Sequence, residues 1–133
     1  MLLEKQYVDE MIAHAIEEAP NECCGIIAGK DSRATKLFPA INAESSPYRY
    51  SVEPKDLLRI FRECEANDWS FLVIYHSHTA SEAYPSPTDV RLAFWPEARY
   101  VLVSLADKDR PVVRAFRILD GQVTEEPIQE PAI

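Results

Sequence analysis

The chain has 133 residues, of which 47% are hydrophobic and 27% charged, and this is the length and composition of one ordinary globular domain. Its formal net charge of -8 argues against nucleic acid and against an anionic membrane surface as partners. No apolar run approaches the roughly 20 residues of a membrane span, and residues 1–5 lack the apolar centre of a signal peptide. We therefore expect a cytoplasmic protein.

The first part of the chain predicts a helix and then a hairpin. Apolar residues recur every three or four positions from Val8 to Ile16, which predicts a helix over 7–18 that ends before Pro20. A nearly continuous apolar run predicts a strand over 22–28. Turn residues at 29–32 then predict a hairpin with a second strand over 33–41. Aromatic and polar residues alternate at 48–52 and predict a third strand there.

The second part mixes helices and strands. Glu53, Pro54 and Asp56 are typical of a helix start, with an acid at the cap, proline next and an acid at the third helical position. Further elements are predicted as a strand over 69–75, a helix over 87–94, and strands over 100–105, 112–118 and 122–124. This order favours a single α/β domain with a mixed sheet covered by helices. Prolines and acids after Glu126 predict a loose, flexible C-terminal tail over 127–133.

The three cysteines, Cys23, Cys24 and Cys64, do not form a disulfide pattern, because their number is odd and two are adjacent. The chain has no Cys-x-x-Cys, which excludes a thiolate zinc knuckle. Cys24 is an alternative candidate for a nucleophile. However, a cysteine at the start of an apolar strand is more often a small buried hydrophobe, and its sequence neighbours are not electropositive.

Two histidines follow the apolar run 71–74. Residues two apart in a strand point to the same face, so His76 and His78 can face one point. Together with the carboxylate of Asp89 they form a ligand set that suits zinc and leaves a fourth position for water, as in catalytic sites. The alternative is purely structural: histidines near a strand end are usually just hydrogen-bonded, and Ser86 with Asp89 is a good helix cap. The two interpretations are compatible, because a helix start would place Ser86 and Asp89 on a rigid element.

The order His-x-His, seven residues, Ser, two residues, Asp resembles the signature of the JAMM (MPN-domain) metallopeptidases. The segment from Pro20 to Gly25 is similar to that family's Pro-x-Glu-x-Cys-Gly and has Glu22 at the glutamate position. The resemblance extends to about residue 126. It implies a domain over 1–126 with a curved mixed β-sheet flanked by helices. It also implies one Zn²⁺ bound by His76, His78 and Asp89, with Glu22 as general base and Ser86 stabilising the oxyanion.

The stretch 73–86 further resembles a bacterial branch of this family that releases cysteine from a ubiquitin-like sulfur-carrier protein with a Gly-Gly tail. The same activity and substrate are therefore implied for this chain. One alternative is a deubiquitinase-like isopeptidase, although the chain is too short for the substrate-binding insertions of the eukaryotic members. A non-catalytic MPN scaffold is disfavoured, because all five signature residues are present. A zinc nucleobase deaminase would need His-x-Glu and Pro-Cys-x-x-Cys, which do not occur. The sequence does not predict the oligomeric state.

Overall fold

The computed structural model describes residues 1–132, which form three helices and six strands. In chain order these are α1 (Lys5–Glu18), β1 (Cys24–Lys30), β2 (Arg33–Ala40), α2 (Pro54–Asn67), β3 (Ser70–His78), α3 (Pro87–Arg91), β4 (Arg99–Ser104), β5 (Val112–Leu119) and β6 (Gln122–Glu126). The predicted single α/β domain is confirmed.

The six strands form one mixed sheet in the order β2-β1-β3-β4-β5-β6. Neighbouring strands are antiparallel except β3 and β4, which are parallel. A parallel pair cannot be joined by a hairpin, so the chain must cross over after β3. That crossover contains α3, and α3 follows the end of β3 at which the two histidines lie.

Helices pack on both faces of the sheet, and the side chains of the central strands alternate between them. Met11 of α1 packs in one cluster with Val73 and Tyr75. On the opposite face, Ile60 of α2 packs in a second cluster with Ile74. Full burial of such a side chain stabilises the fold by roughly 1.5–3 kcal/mol. Because β3 alternates with period two, the even-numbered positions that follow Ile74 share its face of the sheet.

The prediction of a strand over 48–52 is wrong. These residues form a loop, and only an isolated bridge between Asn42 and Val52 remains of the expected pairing. The reason is local competition for hydrogen bonds. The Asn42 side chain accepts from the backbone N–H of Ser51 and donates to the carbonyl of Arg49, so it takes groups that a sheet ladder would use.

Among the element boundaries that differ from the prediction, three concern the elements next to the candidate site residues. The strand predicted over 69–75 extends to His78, so both histidines belong to β3. The first strand begins at Cys24, so Glu22 precedes it. The last helix ends at Arg91 instead of residue 94, and Leu92 is its C-cap.

The segment after β6, expected to be loose, begins beside the N-terminus. The backbone N–H of Leu3 donates to the carbonyl of Gln129 at 2.9 Å, and the N–H of Gln129 donates to the carbonyl of Met1 at 2.9 Å. Ile128 packs against the α1 side of the core. Residues 127–129 thus lie along the N-terminal segment. Among residues 1–132, none of the helices has the length and apolarity needed to span a membrane.

Candidate active site

β3 holds His76 and His78 on an interior strand. His76 is paired with Cys24 of β1 on one side and with Leu102 of β4 on the other. The two histidines are 1% and 6% exposed, and their rings lie 5.1 Å apart between centroids. Backbone pairing on both sides holds the strand rigidly, so the two imidazoles share one face as their spacing predicts.

The start of α3 brings Asp89 to the same place. Ser86 is the N-cap of α3, and its Oγ accepts a hydrogen bond from the Asp89 backbone N–H at 3.1 Å. In return, Asp89 Oδ2 accepts from the Ser86 backbone N–H at 2.9 Å, which completes the predicted capping box. The same Oδ2 lies 3.1 Å from Nε2 of His76 and 3.1 Å from Nε2 of His78. The helix cap and the histidine cluster therefore share one carboxylate oxygen.

The three side chains fit a divalent metal ion. Their ligand atoms all lie within 4.8 Å of one another. Two ligand atoms bound tetrahedrally at about 2.0–2.1 Å from one ion stand about 3.3 Å apart. Asp89 Oδ2 lies 3.1 Å from each of the two histidine Nε2 atoms, which is close to that value. The Nδ1 of His78 lies 2.9 Å from the carbonyl oxygen of Glu82. A carbonyl only accepts, so Nδ1 carries the proton of the neutral ring, and Nε2 is then the nitrogen that can coordinate a metal.

Asp89 and His76 are in the charge states that suit metal binding, whereas for His78 burial lowers the pKa but the hydrogen bond to Asp89 raises it above the usual value. Burial opposes ionisation of Asp89, but hydrogen bonds from His76 and His78 dominate and hold its pKa well below the usual range. Burial lowers the pKa of His76, so its imidazole is neutral near pH 7. A carboxylate and a neutral imidazole are the forms that coordinate metals.

Glu22 lies at the edge of this cluster, immediately before β1. It is only 4% exposed, and its carboxylate Oε1 is buried without a hydrogen-bond partner among residues 1–132. Burial raises the pKa of Glu22 to about 7; the nearby charge of His78 lowers it and that of Asp89 raises it. These two influences place Glu22 within electrostatic reach of the cluster, and a buried carboxylate oxygen without a partner is a costly feature that is typical of functional sites.

Sequence reasoning missed the loop that covers the site. The Asn42 amide donates to the carbonyl of Glu22 at 3.1 Å and to the carbonyl of Arg49 at 3.0 Å. The ring of Tyr50 stacks on His76, with centroids 4.2 Å apart and planes inclined by 21°. The only sequence signal for this arrangement is an asparagine in a polar loop after a strand, and that feature is common in loops.

The cysteines take no part in the cluster. Cys23, Cys24 and Cys64 are all buried and unpaired. Burial raises the pKa of both Cys23 and Cys24 to about 12. A thiol with such a pKa is not ionised near neutrality, so the structure does not support Cys24 as a nucleophile.

Comparison with known proteins agrees with this geometry. Residues 4–119 match the family model described as prokaryotic homologs of the JAB domain. The chain is 46% identical over 130 residues to a protein of Mycobacterium tuberculosis named CysO-cysteine peptidase, covering 96% of this chain and 89% of that one. It is 35% identical over 116 residues to a probable TtuB-protein conjugate cleaving protease of Thermus thermophilus, covering 86% and 74%. A solution structure of a Desulfitobacterium hafniense protein superposes with a TM-score of 0.87 at 36% identity, covering 98% and 92%.

The cluster generates a prediction about metal content. We expect about one divalent metal ion per chain in protein purified without chelator, because three protein ligands converge. The double variant His78→Ala with Asp89→Ala should lose the ion, since only one of the three ligands remains. Elemental analysis by mass spectrometry measures the stoichiometry.

His14→Ala is the matched control. His14 lies on α1, where its Nδ1 bonds the Tyr75 hydroxyl at 2.8 Å, and it is not part of the cluster. This variant should therefore keep the metal. A metal content that is unchanged in the double variant would show that the ion binds elsewhere.

Proposed function

Because this chain belongs to the prokaryotic homologues of the JAB domain, we propose that it is a zinc-dependent peptidase acting on a ubiquitin-like sulfur-carrier protein. The bond cleaved is the C-terminal amide that joins one cysteine to the Gly-Gly tail of the carrier, and the product is free cysteine. Residues 1–126 make up the peptidase domain. The observation that carries the proposal is the convergence of His76, His78 and Asp89 beside the unpartnered carboxylate oxygen of Glu22.

In this proposal His76, His78 and Asp89 hold the zinc. A bound zinc supplies Lewis acidity, which polarises a carbonyl and makes water acidic enough to attack near neutral pH. Glu22 Oε1 takes the proton of the attacking water and later delivers it to the leaving amine, so the proton lost at the first step is returned at the second. The burial of Glu22 supports this role, because a desolvated carboxyl keeps a higher affinity for the proton.

Ser86 is proposed to stabilise the oxyanion that forms on the scissile carbonyl. Its Oγ accepts a hydrogen bond from the Asp89 backbone N–H. Within residues 1–132 the Ser86 hydroxyl donates no hydrogen bond of its own. The hydroxyl proton is therefore available for a substrate oxygen next to the cluster. Because the cap bond fixes Oγ on the first turn of α3, the donor is positioned before the substrate arrives.

The names of two relatives support the proposed class of substrate. The Mycobacterium tuberculosis relative, 46% identical over 96% of this chain, is named for a CysO-cysteine substrate. Glycines in the tail of a carrier let its backbone approach a buried site without side-chain clash. The relative from Thermus thermophilus is named for cleaving protein conjugates, and this favours isopeptidase activity as the second candidate. A non-catalytic scaffold does not need the complete residue set found here.

Glu22→Gln tests the general base. The variant should keep its metal but lose roughly 10²–10⁴-fold in kcat, because an amide cannot accept the proton of water. Steady-state kinetics beside elemental analysis measures both quantities. Glu44→Gln, at an exposed position of the covering loop, is the control and should remain active. Full activity of Glu22→Gln would remove the general-base assignment.

Ser86→Ala tests the oxyanion donor. The variant should lose roughly 10²–10³-fold in kcat with its metal retained. It should also lose about 1 kcal/mol of stability, since the cap of α3 is removed. Thermal melting separates these two effects, and Ser86→Thr, which keeps both hydroxyl and cap, should recover most of the rate. A loss in Ser86→Ala that stability alone explains would contradict the catalytic role.

The substrate is tested by mass spectrometry of a carrier–cysteine adduct incubated with the zinc-loaded protein. We expect the carrier to lose the mass of one cysteine residue, and we expect a chelator or the Asp89→Ala change to block this loss. An isopeptide-linked conjugate of the same carrier is the comparison substrate. Efficient cleavage of that conjugate without cleavage of the adduct would favour the isopeptidase and discard cysteine release.

A further inference from the structure

A cavity of about 270 Å³ is lined in part by Asp89, one of the three candidate metal ligands. Its lining includes Thr88 and Asp89 of α3 together with Arg49, Tyr50 and Ser51 of the covering loop, and the rest of the lining is apolar or aromatic. Among residues 1–132, Arg49 is the one Lys or Arg that lines this cavity. A molecule bound there therefore meets a positive charge next to the Asp89 cluster.

The structure holds Arg49 at the site through its backbone. Its carbonyl accepts from the Asn42 amide at 3.0 Å, and the same amide also binds the carbonyl of Glu22. The next residue, Tyr50, is fixed by stacking on His76 at 4.2 Å. Arg49 is thus anchored between the proposed general base and a proposed metal ligand, while its side chain is exposed to solvent.

Within residues 1–132 the guanidinium of Arg49 forms no ion pair with another side chain, in contrast to Arg99 and Arg114, and among the unpaired arginines it is the one that lines the cavity. Arg114 bonds Glu125 through two nitrogens at 2.9 and 2.6 Å, and Arg99 bonds Glu126 at 2.9 Å. A guanidinium carries several donors in one plane and binds a carboxylate through two parallel hydrogen bonds. Arg49 offers this capacity to a ligand in the cavity.

We propose that Arg49 binds the free α-carboxylate of the single residue that the peptidase releases. This role rests on the proposed function. When only one residue follows the scissile bond, its carboxylate lies within about 3.8 Å, the spacing of one residue, of the reacting group. A cation that recognises it must therefore stand close to the metal ligands, and Arg49 lines the cavity that Asp89 also lines. Such a contact selects a one-residue leaving group over a longer chain or an isopeptide, because neither places a carboxylate there.

The test compares two carrier adducts that differ by one charge. One ends in a cysteine with a free carboxylate, and the other ends in cysteine amide. Zinc-loaded wild-type protein should cleave the first with a kcat/KM roughly 10–100-fold higher, the range expected for hydrogen bonds to a charged group. Arg49→Gln should lose about that factor on the free acid only, so that it cleaves both adducts at the slow rate of the amide. Arg49→Lys should recover part of the discrimination.

Arg91→Gln is the matched control. Arg91 is an exposed cation in the last turn of α3 and is not among the residues that line the cavity. This variant should discriminate between the adducts as the wild type does. Melting curves and zinc content should be the same for all variants, because within residues 1–132 Arg49 makes its hydrogen bond through the backbone carbonyl and not through the guanidinium.

The outcomes separate this role from the proposed function. Cleavage of both adducts at equal rates by the wild type, or full discrimination retained in Arg49→Gln, would overturn the role of Arg49 and leave the peptidase in place. Cleavage of neither adduct by zinc-loaded wild type would refute the proposed function, and the role of Arg49 with it.

Discussion

One carboxylate oxygen, Oδ2 of Asp89, joins the secondary structure to the site. It closes the capping box of α3 through the Ser86 backbone N–H and lies 3.1 Å from both imidazole Nε2 atoms. The helix start thereby orients the carboxylate, and the carboxylate links α3 to β3. Because Asp89 is nearly buried and stays ionised, its hydrogen bonds are charge-assisted and stronger than neutral ones. A change that loosens the first turn of α3 also moves a candidate ligand.

The parallel pairing of β3 and β4 explains why α3 lies where it can present Asp89 to the histidines of β3. Parallel strands need a crossover, and here the crossover leaves the sheet just after His78 and returns at β4. Its first part is held close to the sheet, since the Ser104 hydroxyl donates to the carbonyl of Ser81 at 2.6 Å and Ala83 is buried. The neighbouring carbonyl of Glu82 accepts a hydrogen bond from Nδ1 of His78. The connection therefore supplies both Asp89 and the group that orients one imidazole.

The loop after β2 is linked to Glu22 through the side chain of Asn42. Asn42 binds the carbonyls of Glu22 and Arg49, and its Oδ1 accepts from the backbone N–H groups of Glu44 and Ser51. This loop covers the edge of the site and holds Tyr50 against His76. A carboxylate at the end of a strand would ordinarily be solvated, whereas Glu22 is only 4% exposed. The burial of Glu22, on which its proposed role as a base rests, therefore depends on residues that are distant in sequence.

The features that the sequence determined by itself depend on local geometry. The alternation of a strand places His76 and His78 on one face, and the helix-start pattern of Ser86 and Asp89 forms a capping box within four residues. The alternation at 48–52 predicted a strand for the same local reason and was wrong, because Asn42 takes the hydrogen bonds that a ladder would use. The burial of Glu22, the stacking of Tyr50 and the absence of an ion pair at Arg49 within residues 1–132 were decided only by the tertiary structure. Each of them depends on which distant groups pack nearby, and the spacing of residues along the chain carries no information about that.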